Sequence, residues 1–109
     1  MIHTLHINPL SVIDIRNRLK TLDARAAFAS LKIARAGDQV RFISRTAGGV
    51  VCDIFDVRQY EDFKTMLENE DSKKIIPTFD KEGVLSLLQA VYPPEVERLG
   101  AVVLELRLN

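Results

Sequence analysis

The sequence predicts a small α+β domain built around a mixed sheet. Residues 39–44 and 101–108 alternate apolar and polar side chains with the period of two that is typical of strands. Residues 80–91 instead repeat apolar side chains at helical spacing. Residues 50–58 carry apolar side chains that point both ways, as in the wall of a small barrel that is covered on both faces.

Length and composition indicate one domain spanning residues 1–109. A chain of 109 residues with 47% apolar and 28% charged side chains has ordinary globular composition and is too short for two independent cores. Its longest apolar run is far below the roughly 20 residues that cross a bilayer. The first residues lack the basic and apolar regions of a signal peptide, so we expect a cytoplasmic protein.

Cys52 is the only cysteine, which excludes an internal disulfide and favours a small buried strand residue.

The N-terminal elements are a strand over residues 2–7 and a helix that follows Asn8-Pro9. Ser11 with Asp14 fits a capping box at the start of this helix. Leu10 and Ile15 would form the hydrophobic staple across it, and an apolar stripe at helical spacing follows at Val12, Ile15 and Leu19.

Residues 20–34 fit two structures. A continuation of the apolar stripe through Leu22, Ala26, Ala29 and Ile33 predicts one long helix. The alternation over residues 21–26 predicts a half-buried strand instead. The local pattern leaves both open.

The remaining elements have clear boundaries. Gly37-Asp38 predicts a turn, and residues 46–49 predict a hairpin turn between two strands. A short acidic helix carries Tyr60, Phe63 and Leu67 on one stripe, with Met66 beside it. Asp80 is a good N-cap for the helix that Pro93-Pro94 ends, and the apolar residues of that helix are Val84, Leu85, Leu88 and Val91.

Charge is balanced overall but unevenly distributed. Fifteen basic and fifteen acidic residues cancel, which removes the simple argument from a high isoelectric point to nucleic acid. Residues 1–58 nevertheless carry a net charge of +4 and residues 59–109 a net charge of −4. This asymmetry predicts either a basic face that steers an anion or two halves whose surface charges pair.

The order of these motifs resembles the ASCH domain, a relative of the PUA-like barrels, over nearly the whole chain. The family motif is G-x-K-x-x-E-x-R, and residues 18–25 read RLKTLDAR. Lys20 and Arg25 match in type and spacing, Asp23 replaces the glutamate, and Arg18 replaces the glycine. Gly37-Asp38, residues 60–63 and residues 92–95 are further similarities. The resemblance implies a small PUA-like mixed β-barrel with two to three helices, in which residues 21–25 form a strand.

The resemblance also implies a cleft that binds RNA, a nucleotide or a nucleoside. Some relatives are amidohydrolases that remove an acyl group from acetylated cytidine, and others are ribonucleases. Asp23 stands where the amidohydrolase pattern has a threonine nucleophile, and the second acid of the family would be sought near Asp80 and Glu82. In the enzyme hypothesis, Lys20 is a base or electrostatic catalyst and Asp23 positions water.

The expected ligand-binding residues are those that can grip phosphate or base: Arg18, Lys20, Thr21, Asp23, Arg25, Arg41, Arg45 and Tyr92. On a strand, Thr21, Asp23 and Arg25 would share one face while Leu22 and Ala24 face the core. His3 and His6 fall on opposite faces of the first strand, so we expect neither a metal site nor a cofactor. A third hypothesis is a protein-interaction module whose acidic helices at residues 60–70 and 80–91 dock a partner beside a vestigial cleft.

Overall fold

The computed structural model describes residues 1–28 and 34–109. Five strands form one sheet that curls into a half-barrel. The strands are β1 (Ile2–His6), β2 (Leu22–Ala26), β3 (Gln39–Ile43), β4 (Gly49–Tyr60) and β5 (Ala101–Leu108). They lie in the order β1-β3-β4-β5-β2, with β1 parallel to β3 and every other pair antiparallel. The predicted α+β class and mixed sheet are confirmed.

Five helical segments occur in the described ranges. They are α1 (Pro9–Arg16), α2 (Phe63–Asn69), α3 (Ser72–Ile75), α4 (Lys81–Val91) and α5 (Pro94–Glu97). The predicted helices correspond to α1, α2 and α4, whereas α3 and α5 are single turns that the sequence did not predict. No helix in this part of the chain is long and apolar enough to cross a membrane.

The sheet separates two apolar cores. One lies inside the half-barrel under α1, and the other lies beneath α2, α3 and α4. β5 contributes to both, since Val102 and Leu104 face the first core while Ala101 and Val103 face the second. The strands covered on both faces are therefore β2 and β5. β4 has only its inner row fully covered, because Phe55 on its outer side is 48% exposed. Cys52 lies in the first core, as predicted, and burial raises the pKa of its thiol to about 11.

The helix α1 begins one turn earlier than the capping box predicted. The side chain of Asn8 accepts a hydrogen bond of 2.8 Å from the backbone N–H of Ser11, which makes Asn8 the N-cap. Pro9 occupies the first helical position, where its missing N–H has no consequence. Leu10 is 59% exposed, so the predicted staple with Ile15 was wrong.

The helix α1 ends in a Schellman motif with Arg18 in the left-handed conformation. The backbone N–H of Leu19 donates to the carbonyl of Asp14 at 2.9 Å, and that of Arg18 to Ile15 at 3.0 Å. Arg18 has φ of 61°, in the region that favours glycine. Leu19 is consequently exposed and the chain reverses into β2, so the long helix was wrong and the strand is confirmed. Ala29 and Ile33, assigned to that helix, lie outside the described residues.

Two further side chains differ from their predicted places. Tyr60 ends β4 rather than joining the stripe of α2, because Asp62 caps that helix by accepting a 2.7 Å hydrogen bond from Thr65 N–H. Val91, predicted to be a core residue of α4, is 59% exposed. Only Val84 and Leu88 of that stripe are fully buried, and Val91 lines a surface cleft instead.

Arg18→Gly is expected to stabilise the fold by about 0.5–1 kcal/mol. A residue with a Cβ in the left-handed region costs roughly 1–2 kcal/mol of folding free energy, and glycine avoids this cost. Glycine also gives the unfolded chain more conformational freedom, which cancels part of the gain in stability. Urea unfolding measures the change.

Arg18→Ala is the matched control, since it removes the charge and keeps the Cβ, and it should give no such gain. Gly100→Ala should destabilise strongly, because a Cβ there would lie 2.9 Å from the backbone oxygen of Tyr60. A gain for Arg18→Ala equal to that for Arg18→Gly would contradict the backbone explanation.

Candidate ligand-binding cleft

A cleft lies beside β2, between the N-terminal end of α1 and the C-terminal end of α4. We call it the Arg25 cleft, and its volume is about 290 Å³. Its lining comes from β1, α1, β2, α3 and α4 and comprises His6, Ile7, Asn8, Ser11, Lys20, Asp23, Ala24, Arg25, Ile75, Ile76, Leu87, Leu88, Val91 and Tyr92. Ligand sites typically begin at about 300 Å³, so this cleft suits a small molecule or one unit of a polymer.

Arg25 joins the two edge strands of the half-barrel at the floor of this cleft. Its Nη2 donates a 3.0 Å hydrogen bond to the main-chain carbonyl of His6, at the end of β1. Its Nε donates to Asp23 Oδ2 at 2.8 Å, and the guanidinium carbon lies 6.0 Å from the centroid of the Phe42 ring. One side chain therefore bridges β2 to β1 and also contacts β3.

Asp23 and Arg25 form a pair that is mostly shielded from water. The Asp23 side chain is 5% exposed and that of Arg25 is 18% exposed. Burial opposes the charge of Arg25, but Asp23 outweighs it, so the pKa of the guanidinium is raised. The two residues do share one face of β2, as predicted, and Leu22 and Ala24 face the second core. That shared face looks into the half-barrel, so the pair is not on the outer surface of the sheet.

Lys20 is buried at the junction between α1 and β2. Its Nζ donates to the carbonyl of Leu22 at 2.7 Å and to that of Ile75 at 2.8 Å, which ties β2 to α3. Burial lowers the pKa of the ammonium, while the nearby Asp23 carboxylate acts in the opposite direction. Two of the three positions on Nζ are therefore occupied by main-chain acceptors, and Lys20 also lines the Arg25 cleft.

Tyr92 closes the end of the cleft from the C-cap of α4. Its ring centroid lies 6.0 Å from that of Phe28 and 5.7 Å from that of Phe63. These tilted contacts hold the ring in place. Burial raises the pKa of its phenol.

Several residues predicted for the site lie elsewhere. Arg18 and Thr21 line a different cavity, which shares only Lys20 with the Arg25 cleft. Arg41 is exposed between the inward-facing Val40 and Phe42 of β3, and therefore points away from the half-barrel. Arg45 is exposed in the turn before β4.

The two acids considered near the last helix are also distant from the cleft. Asp80 caps the opposite end of α4 by accepting from Gly83 N–H, and Glu82 lies in the first turn of that helix. The ring of His3 is hydrogen-bonded to Asp38 at 2.8 Å. Among the described residues, no group of three His, Cys, Asp or Glu side chains could hold a metal ion.

A charged network on the outer side of the sheet was not predicted. Arg58 donates to Glu70 from Nε and Nη2, and to Glu105 and Asp56 from Nη1, while Tyr60 O–H donates to Glu70. Glu70 and Glu105 belong to the acidic half of the sequence, whereas Asp56 belongs to the same half as Arg58. The network lies outside the Arg25 cleft.

The apolar walls of the cleft were also missed, because Leu87 and Val91 read as ordinary positions of an amphipathic helix. Their spacing of four residues places them on one face, and they are 41% and 59% exposed. No local signal separates such a wall from a buried stripe.

The fold is a small α+β domain with one curled mixed sheet, and solved structures share it. The ASCH protein from Zymomonas mobilis has the same fold, with a TM-score of 0.71 and 10% identity over 97% of this chain and 66% of that chain. The crystal structure of the hypothetical protein PH0355 matches with a TM-score of 0.89 and 21% identity over the whole of both chains. The solution structure of a Pyrococcus furiosus protein matches with a TM-score of 0.78 and 22% identity over 99% of this chain and 97% of that chain.

These matches confirm the expected fold and the structural resemblance to an ASCH domain. No family model matches the sequence, and no curated protein matches it. At identities of 10–22%, the likeness establishes the architecture.

Arg25→Met is expected to lower the free energy of unfolding by about 3 kcal/mol, because it leaves the buried Asp23 carboxylate without its partner. The double variant Asp23→Asn/Arg25→Met should recover part of this loss, since no charge is then buried alone. Urea unfolding at neutral pH measures these two variants and the single variant Asp23→Asn. A double variant whose loss equals the sum of the two single losses would show that the pair is not coupled.

Proposed function

We propose that this protein binds RNA or a nucleotide, and that the Arg25 cleft receives a single nucleobase or nucleoside. The observation that carries the proposal is the combination of a charged floor with apolar walls in one small cleft. The floor consists of Lys20, Asp23 and Arg25, and the walls include Leu87, Val91 and Tyr92. Such sites orient a flat, partly apolar ligand through a few fixed polar groups.

The walls supply contact area for the flat face of a base. Leu87 and Val91 expose apolar surface at the mouth of the cleft, directly before Tyr92. Because the Tyr92 ring is already fixed by Phe28 and Phe63, little side-chain entropy would be lost when a ligand packs beside it.

The floor supplies polar groups for the edge of the base. Arg25 and Asp23 hold each other in fixed positions, and Lys20 is held by two carbonyls. Each group therefore keeps its geometry before a ligand arrives, which favours discrimination by hydrogen bonding.

The charge distribution favours recognition of a single nucleotide over binding along a nucleic-acid strand. Two basic residues and one acidic residue lie at the floor, while Arg41 and Arg45 lie on other surfaces. No continuous row of phosphate contacts leads into the cleft among the described residues. Binding should therefore depend only weakly on salt, because few phosphates are neutralised.

Hydrolysis of an amide or acyl group on a modified nucleoside is the second candidate function, and buried Lys20 favours it. A neutral amine has two N–H donors and one lone pair, and the carbonyls of Leu22 and Ile75 account for both donors. The lowered pKa of Lys20 increases the neutral fraction. The lone pair could then accept a proton from water as the water oxygen bonds to the acyl carbon. The bond from the acyl carbon to the nucleoside nitrogen then breaks, and that nitrogen takes the proton back from Lys20, which returns to its neutral form.

Val91→Asp should weaken nucleoside binding at least tenfold, because it places a charge on the apolar wall, and one such wall contact carries about 1–3 kcal/mol. Titration of the four ribonucleosides and their 5′-monophosphates into isotopically labelled protein, followed by amide chemical shifts, measures binding. Leu99→Asp is the matched control, because Leu99 is 46% exposed and lies outside the cleft. Absence of shifts around β2 and α4 with every ligand would reject the proposed site.

Lys20→Met tests the hydrolase candidate. Incubation of the protein with N-acylated nucleosides, followed by mass spectrometry, should show the free nucleoside with the wild type and none with the variant. The wild-type rate should rise with pH and level off below the ordinary lysine value of 10.5, because the neutral amine accumulates as the pH passes its lowered pKa. A folded wild-type protein that leaves all substrates intact would exclude this activity on that panel and leave the binding proposal standing.

A further inference from the structure

A second cavity lies at the C-terminal end of α1, against β4 and β5. We call it the Arg107 cavity, and its volume is about 370 Å³. Arg18, Lys20, Thr21 and Arg107 supply its polar lining, and Ile15 and Cys52 contribute to its apolar floor. None of the described residues that line it is acidic. Three basic residues and a threonine thus line one cavity together with apolar side chains.

The two arginines of this cavity are not neutralised by acids. Neither Arg18 nor Arg107 forms an ion pair with a described residue. Asp53 is paired with Arg107 across the strands, but its carboxylate accepts hydrogen bonds from Gln39 and Asn109 instead. By contrast, Arg25 and Arg58 are both held by carboxylates.

Arg107 is held by an aromatic ring rather than by an acid. Its guanidinium carbon lies 3.7 Å from the centroid of the Phe55 ring. Phe55 lies at the irregularity in the pairing of β4 with β5, and it is 48% exposed. A cation–π contact orients the guanidinium without cancelling its charge, so its donors remain able to bind an anion.

Arg18 occupies a backbone position that costs free energy for any residue with a Cβ. Its φ of 61° is required by the Schellman motif that ends α1. Glycine would meet this requirement without strain, and the fold gains nothing from arginine there. Strained residues of this kind are found at ligand sites, and here the strained residue lines the cavity that contains Arg107 and Lys20.

We propose that the Arg107 cavity binds a phosphate monoester that carries a small apolar group. The two guanidinium forks, the Lys20 ammonium and the Thr21 hydroxyl match the several oxygens and double negative charge of a phosphoryl group. The apolar floor, which includes Ile15 and Cys52, receives the attached group. This site shares Lys20 with the Arg25 cleft and is otherwise lined by different residues, and the proposal does not depend on the function proposed for that cleft.

Binding of phenyl phosphate to the full chain, measured by calorimetry and by amide chemical shifts, tests the proposal. Shifts should concentrate at residues 18–21 and 106–108. Arg18→Gly should weaken binding at least tenfold, because it removes a charge-assisted hydrogen bond. The same variant is expected to be at least as stable as the wild type, so unfolding would not explain the loss. Arg98→Ala removes an equal charge from another exposed position and should leave the affinity unchanged.

Five outcomes would overturn the assignment. Equal affinity in Arg18→Gly and wild type, or equal losses in Arg18→Gly and Arg98→Ala, would show that no specific site exists. Benzoate that binds as tightly as phenyl phosphate would show that the cavity selects no phosphoryl group, and equally tight inorganic phosphate would show that the apolar floor contributes nothing. Loss of phenyl phosphate binding in Val91→Asp would place the ligand in the Arg25 cleft instead.

Discussion

The half-barrel depends on the side chain of Arg25. The sheet has two edges, β1 and β2, and their backbones share no ladder of hydrogen bonds. Arg25 crosses the gap by donating to the carbonyl of His6, and the buried Asp23 carboxylate fixes the guanidinium in the position that this bond requires. A buried carboxylate would be costly alone, so each charge requires the other. The Asp23–Arg25 pair thus both connects the edges of the sheet and shapes the floor of the cleft.

Lys20 plays the corresponding part on the other side of β2. Its ammonium joins the strand to the single-turn helix α3 through two carbonyls, and Lys20 lines both the Arg25 cleft and the Arg107 cavity. Residues 20–25 therefore combine two tasks that are often separate, since they connect elements of the fold and supply the polar groups of the candidate sites. Substitutions in this segment will affect stability and binding together. Variants on the cavity walls change binding with less effect on the fold, and they therefore report on binding more directly.

The ends of α1 show how local chemistry can be read incorrectly when two signals compete. Ser11 and Asp14 form a plausible capping box, but Asn8 followed by Pro9 caps the helix one turn earlier. At the other end, apolar spacing continues past Arg16, whereas the Schellman hydrogen bonds at Arg18 stop the helix. Periodicity did not reveal this end because Arg18 adopts a conformation that its residue type does not favour.

Local sequence alone indicated the α+β class, the strands β1, β3, β4 and β5, the cap of α4 and the residue types of the RLKTLDAR segment. These follow from local periodicity, capping chemistry and motif spacing. Tertiary structure decided which of those residues meet. It separated Arg18 and Thr21 from Asp23 and Arg25, turned Arg41 outward, and brought Leu87 and Val91 to a cleft wall. The physical reason is that sheet curvature and long-range packing set these distances, and neither leaves a signal in neighbouring residues.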